Sequence, residues 1–138
     1  MVCVDVAFFE RCEDDDAKIL LIRRGEDPFK GFWALPGGFV DMDEDLEAAA
    51  RRELHEETAM APDEIIQVGA FGDPQRDPRG RNISVVFATV ATAPVLPRAG
   101  DDAADARFFS LKLLPTLAFD HGLIISSAID SLKLQKKW

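Results

Sequence analysis

Three glutamates, Glu53, Glu56 and Glu57, stand at i, i+3 and i+4 of a segment whose Ala, Leu, Glu and Arg content predicts a helix over residues 44 to 58. That spacing puts all three on one helix face. Carboxylates held so close repel one another unless a cation neutralises them. Hard oxygen donors suit Mg²⁺, or Mn²⁺ in its place, so the cluster predicts a divalent-cation site.

The ordinary reading of a Glu/Arg-rich helix is a solvated face laced with ion pairs. A helical projection weakens it. Glu53 and Glu57 continue the stripe of Leu46, Ala49 and Ala50, whereas Glu47, Arg51, His55 and Thr58 fall on the opposite, solvent-facing side. Carboxylates on the inward stripe need a partner, because unpaired burial of charge is expensive. Upstream, Pro36-Gly37-Gly38 follows the apolar run Phe32 to Leu35. The chain is expected to turn there and to bring backbone close to the carboxylates, which glycine permits. Asp43 is the expected helix cap.

Taken together, Gly38, Glu44, Arg52, Glu53, Leu54, Glu56, Glu57 and Met60 resemble the signature of the Nudix hydrolases, with the box spanning residues 38 to 60. The one departure is Ala59, where the family has Gly. The resemblance implies an α/β fold, an α/β/α sandwich with a mixed β-sheet, and places the box in a loop–helix–loop. It implies that Glu53, Glu56 and Glu57 bind the cation with a backbone carbonyl near Gly37 and Gly38. Arg52 would orient a catalytic glutamate, and Glu44 would brace the loop against the helix. The general base would be Glu56 or Glu57, or a carboxylate from a later loop, for which Asp101, Asp102 and Asp105 are candidates. Ala59 is expected in an ordinary right-handed conformation, with Pro62 ending the helix.

The elements that must position this box follow from hydrophobic pattern. Val2 to Phe9 and Lys18 to Arg23 read as strands joined by a turn over Glu13 to Asp16. Ile65 to Phe71, Asn82 to Thr92 and Ala106 to Phe109 read as further strands, and His121 to Leu134 as a helix with Asp120 as its cap. Residues 93 to 104 read as a loop. Strand runs interrupted by two helices fit a mixed sheet with helices on its faces. The 138 residues, 47% hydrophobic, suit one domain over 1–138.

The formal charge of −9, from 16 basic and 25 acidic residues, argues against nucleic acid as a partner. Cys3 and Cys12 have neither metal-site nor disulfide-framework spacing, which fits a reducing, cytoplasmic setting. Asp5 interrupts the N-terminal apolar run and so excludes a signal peptide, and no apolar stretch is long enough to span a membrane.

Substrate choice falls to residues outside the box. Gly72 to Arg81 is too long for a tight turn, and it offers Arg76, Arg79 and Arg81 as planar donors for phosphate or ribose oxygens. The run Asp73-Pro74-Gln75-Arg76-Asp77-Pro78-Arg79-Gly80, with Gly31 to Phe39, Ala99 to Ala103 and Leu117 to His121, resembles the stand-alone ADP-ribose pyrophosphatases of prokaryotes within the family. That resemblance implies a small-molecule nucleotide substrate, hydrolysis of ADP-ribose to AMP and ribose 5-phosphate, and room for a homodimer. Phe32 and Trp33 are candidates to stack on adenine, and Arg23 and Arg24 to meet phosphate. His121 is read as the start of the last helix rather than as a catalytic group. A sanitising hydrolase of oxidised nucleoside triphosphates shares the box but not this arginine loop. An ADP-ribose-sensing transcription factor would carry an added DNA-binding domain and a degraded box, whereas here all three glutamates are present.

Overall fold

A computed structural model describes residues 1–11, 16–99 and 103–138. The expected Glu13 to Asp16 turn, Cys12 and the candidate bases Asp101 and Asp102 fall wholly or largely outside the described residues.

Strand β1 (Val2–Arg11) is the middle of the sheet. On one side it pairs antiparallel with β2 (Ala17–Arg24), and on the other it runs parallel to β6 (Ile83–Ala91), from Val2 opposite Ile83 to Glu10 opposite Ala91. β2 also pairs with β3 (Trp33–Ala34) and with β7 (Ala103–Ser110), β4 (Gly37–Phe39) pairs with β1, and β5 (Ile66–Phe71) edges the sheet against β6. The sheet is therefore mixed, as expected. The short β3 and β4 were not legible, because they hold too few residues to show any alternation.

β1 is buried on both faces, which is why it reads as an almost unbroken apolar run. Val4, Val6 and Phe8 pack with Leu20, Leu54, Ala49 and Ala50 under helix α1 (Leu46–Thr58). Ala7 and Phe9 pack with Ile19, Leu21, Ile124, Ile125 and Leu132 under helix α2 (His121–Leu134). One helix thus covers each face, giving the α/β/α sandwich. Only Asp5 breaks the run, 7% exposed in the central strand.

Both ends of α1 differ from expectation. The cap is Asp45, not Asp43, and its Oδ1 accepts the Ala48 N–H at 2.8 Å. Glu44 lies just before this cap, with both its oxygens taken by Arg52. At the other end Ala59 is left-handed, with φ 63° and ψ 14°, and its N–H reaches His55 O. Pro62 does not set this end. Thr58, expected on the solvent side, is fully buried: its Oγ1 donates to Leu54 O and accepts Met60 N–H, and its carbonyl accepts from Arg98. Seating Met60 in the core beneath α1 reverses the chain at Ala59, and only a left-handed residue permits that turn.

At α2 the boundaries are as predicted, but the Asp120 carboxylate makes no cap. It is occupied by Arg76 instead.

Candidate active site

Strand β4 brings Gly37 and Gly38 between β1 and α1. Gly37 pairs with Asp5 and Gly38 with Val4. A Cβ on Gly37 would lie 2.1 Å from Val4 O and 2.4 Å from an Asp5 oxygen, and one on Gly38 would lie 2.5 Å from Glu53 Oε1. Close approach therefore requires glycine at both positions.

Glu57 projects from α1 into the cleft so formed, and its Oε1 accepts the Gly37 N–H at 3.0 Å. Burial, with Glu53 and Asp5 close by, pushes its carboxyl up to about 8, against the opposing pull of the Gly37 hydrogen bond. Glu53 is also shifted upward by burial, although Arg52 opposes this. The third glutamate is elsewhere. Glu56 is exposed and paired with Arg52 at 3.2 Å, and it does not line the cleft. Of the three carboxylates expected to converge, Glu57 lines the cleft and Glu53 lies beside it and Gly38, while Glu56 stays outside with Arg52. Among the described residues no three acidic, His or Cys side chains are gathered closely enough to cage an ion. Glu53 and Glu57 nonetheless fit a divalent cation, because two carboxylates with raised proton affinity at a half-closed cleft are under-neutralised.

Arg52 organises the box. Its Nε and Nη2 donate to the two oxygens of Glu44 at 2.7 and 2.9 Å, Nη1 donates to Glu53 and Glu56, and Nη2 also reaches Phe39 O. These carboxylates hold the guanidinium charged.

Beneath Glu57 lies a polar layer that the sequence reading overlooked. Asp5 is buried at the floor of the cleft, accepts from Ser84 Oγ, and has its carboxyl shifted upward by burial. His121 Nδ1 accepts the Leu35 N–H at 3.0 Å, leaving Nε2 3.8 Å from Asp5. Burial lowers the proton affinity of that imidazole. The available signal was a charge, Asp5, set inside the apolar run of a strand buried on both faces.

The cleft of ≈ 120 Å³ is closed on its other side by Arg24, Arg76, Asp77, Arg79, Phe39 and Phe119. Buried Asp77 holds Arg79 as a fork: its oxygens accept Arg79 Nε and Nη2 at 3.1 and 2.8 Å and the Arg79 N–H at 2.9 Å, while Asn82 adds a further bond. The Arg79 guanidinium sits 5.5 Å from the Phe39 ring and 5.6 Å from that of Phe119. The Arg24 guanidinium also lies over the Phe119 ring, 5.0 Å from its centre. Phe119 holds φ 51°, a strained conformation for a bulky residue. A shallower hollow of ≈ 730 Å³ adjoins the cleft and shares Arg76, Asp77 and Phe119 with it.

Of the other expected contacts, Arg76 lines the cleft and the rest do not. Arg23 is exposed, and Arg24 takes the cleft position next to it. Trp33 packs edge-on against Phe109 under Arg107, and Phe32 lies 5.5 Å from Phe29, so neither ring lines the cleft. Arg81 is exposed and offers only its carbonyl to the N-terminus. Arg76 is 8% exposed and tied to Asp120. Asp105 is engaged by Arg107 and the Ala106 N–H, which hold its carboxyl below the usual range.

The NUDIX domain family matches residues 3–127. The chain belongs to the Nudix family. Among relatives of this Nudix chain, an ADP-ribose pyrophosphatase of Methanocaldococcus jannaschii is 51% identical over 81% of the chain and 66% of its own length. An ADPR responsive transcriptional repressor of Acinetobacter baylyi is 32% identical over the whole chain and 56% of its own length. The chain thus spans a little over half to two thirds of these relatives. The NUDIX domain of Shewanella oneidensis NrtR, solved with ADP ribose, superposes with a TM-score of 0.88 at 34% identity, covering 96% of this chain and 88% of that one. A bifunctional NMN adenylyltransferase/ADP ribose pyrophosphatase of Francisella tularensis, solved with AMP and a manganese ion, gives 0.78 at 34% identity over 94% of this chain and 41% of that one. Among the described residues of the Nudix chain, no helix is long and apolar enough to cross a membrane.

Proposed function

We propose that this Nudix chain hydrolyses ADP-ribose to AMP and ribose 5-phosphate with Mg²⁺ or Mn²⁺ in the cytoplasm. The observation that carries this reading is the apposition, across one cleft, of Glu57, with Glu53 beside it at Gly38, and the Asp77-held fork of Arg79. A diphosphate has anionic oxygens for both walls, and the 51% identity to an ADP-ribose pyrophosphatase supports that choice of substrate.

Glu53 and Glu57, with the Gly37 carbonyl, are the groups that would hold the cation. When bound, it neutralises the diphosphate and polarises a phosphoryl oxygen. Arg79 and Arg24 orient the diphosphate through charge-assisted hydrogen bonds, with Phe119 as the flat surface between them. Arg52 keeps Glu53 and Glu56 in place while remaining charged itself. Glu56, exposed on the rim, is the group we assign to accept a proton from water. The water oxygen bonds to phosphorus, the bridging P–O bond breaks, and AMP and ribose 5-phosphate part. Arg81, Arg23 and Trp33 have no role in this scheme.

A substrate panel with Mg²⁺ tests the proposal. Release of AMP from ADP-ribose is expected. Release of pyrophosphate from oxidised nucleoside triphosphates, with ADP-ribose left intact, would overturn it. ADP-ribose binding without turnover would match a sensor, as in the repressor relatives.

A further inference from the structure

Residues 72–80 carry Arg79 to the cleft, yet most of their hydrogen bonds are internal. Asp73 accepts from Gln75 and Arg76, and Asp77 accepts from Arg79, Gly80 and Asn82. Among the described residues, the hydrogen bonds joining 72–80 to the rest of the fold are one from Asn82, at the entry to β6, to Asp77 and two from Arg76 to Asp120, at 3.0 and 2.8 Å, and only the latter reach α2. The pair is parallel and bidentate, with side-chain exposures of 3% and 18%. Asp120 is itself fixed. It lies between Phe119, whose ring the Arg79 guanidinium meets, and His121, whose imidazole accepts from Leu35.

We infer that Arg76 and Asp120 are positioning residues: their buried ion pair ties the loop to the start of α2, sets Arg79 against Phe119 and so fixes the substrate-binding wall of the cleft. This rests on the reading of the cleft given above. A planar fork gripping both oxygens of one carboxylate resists rotation as well as separation, which a point charge does not. Without it, the Asp77–Arg79 unit stays intact but loses its place. Substrate then binds to a wall whose correct arrangement is only fractionally populated, and apparent affinity falls by that fraction. Glu57, Glu53 and Arg52 lie on the opposite wall and keep their own bonds.

The test compares the parent with Asp120→Asn and with the charge-free pair Arg76→Met/Asp120→Leu, which avoids leaving an unpaired buried guanidinium. Two readouts are taken: hydrogen exchange of the 72–80 amides, and kcat and KM for ADP-ribose across a Mg²⁺ titration. Expected are at least tenfold faster exchange in 72–80 with α1 unchanged, and a KM raised about tenfold or more at near-parental kcat and Mg²⁺ dependence. The swapped pair Arg76→Asp/Asp120→Arg should recover part of both. Unchanged loop exchange and KM in a folded charge-free pair would overturn the inference. So would a loss confined to kcat. Should the parent itself fail to hydrolyse ADP-ribose, the functional reading falls and the exchange arm alone decides the tether.

Discussion

Glu57→Gln separates the electrostatic function of this residue from its place in the fold. The amide preserves the acceptor for the Gly37 N–H while removing a carboxylate that is 8% exposed. In the metal-free protein the folded state raises the Glu57 carboxyl from 4.5 to about 8. At about 1.4 kcal/mol per tenfold change in proton affinity, that is roughly 4–5 kcal/mol against the charged form. Water in the open cleft leaves on the order of 2–3 kcal/mol to be measured. Because the folded value is raised, the favourable contribution is complete below pH 4.5 and is lost progressively as pH climbs towards 8. Parent stability should therefore fall across that window. The variant lacks this slope; Glu53 and Asp5, whose charges help raise the Glu57 carboxyl, are relieved of the same repulsion and add to the difference in its direction. Urea denaturation of metal-free parent and variant at the two ends of the window measures this. The variant should be more stable at the upper end by roughly 2–3 kcal/mol, at equal m-value. It should also bind Mg²⁺ more weakly and lose roughly a hundredfold or more in rate. A variant less stable than the parent at high pH, or one with parental activity at limiting Mg²⁺, would refute the assignment.

Arg79→Ala removes a charge-assisted fork and should raise KM for ADP-ribose by roughly 10–100-fold with Mg²⁺ affinity retained, whereas Arg81→Ala should behave as the parent in the same steady-state assay. Arg52→Lys cannot reach Glu44, Glu53 and Glu56 at once, so kcat should drop by roughly 10–100-fold; unchanged single-turnover rates would count against its organising role. Ala59→Gly should relieve left-handed strain of about 1–2 kcal/mol, offset by about 0.4–1 kcal/mol of unfolded-state entropy. The thermal midpoint should rise by about 2–4 °C with activity unaltered, and a fall would mean that the helix end is unstrained.

The sequence by itself determined the elements that local pattern encodes: the amphipathic stripe of α1, the doubly buried β1, the exact span of α2, and the glycines wedged beside Glu53 and Asp5. It also carried the family, because the box is contiguous and its residues act through fixed helical spacing. Which of the three glutamates faces the cleft was not legible. At i, i+3 and i+4 they share a face, yet Glu57 reaches Gly37 while Glu56 stays exposed beside Arg52, which Glu44 holds across the loop. The roles of the loop arginines were hidden for the same reason. Arg76, Arg79 and Arg81 look equivalent in sequence, yet Asp120, 44 positions beyond Arg76, takes the first, Asp77 aims the second at Phe39 and Phe119, and the third is left on the surface. Asp5 and His121 meet because β4 and α2 both close over β1. Ion-pair partners remote in sequence are chosen by where strands cross and helices begin, and periodicity carries no record of that choice.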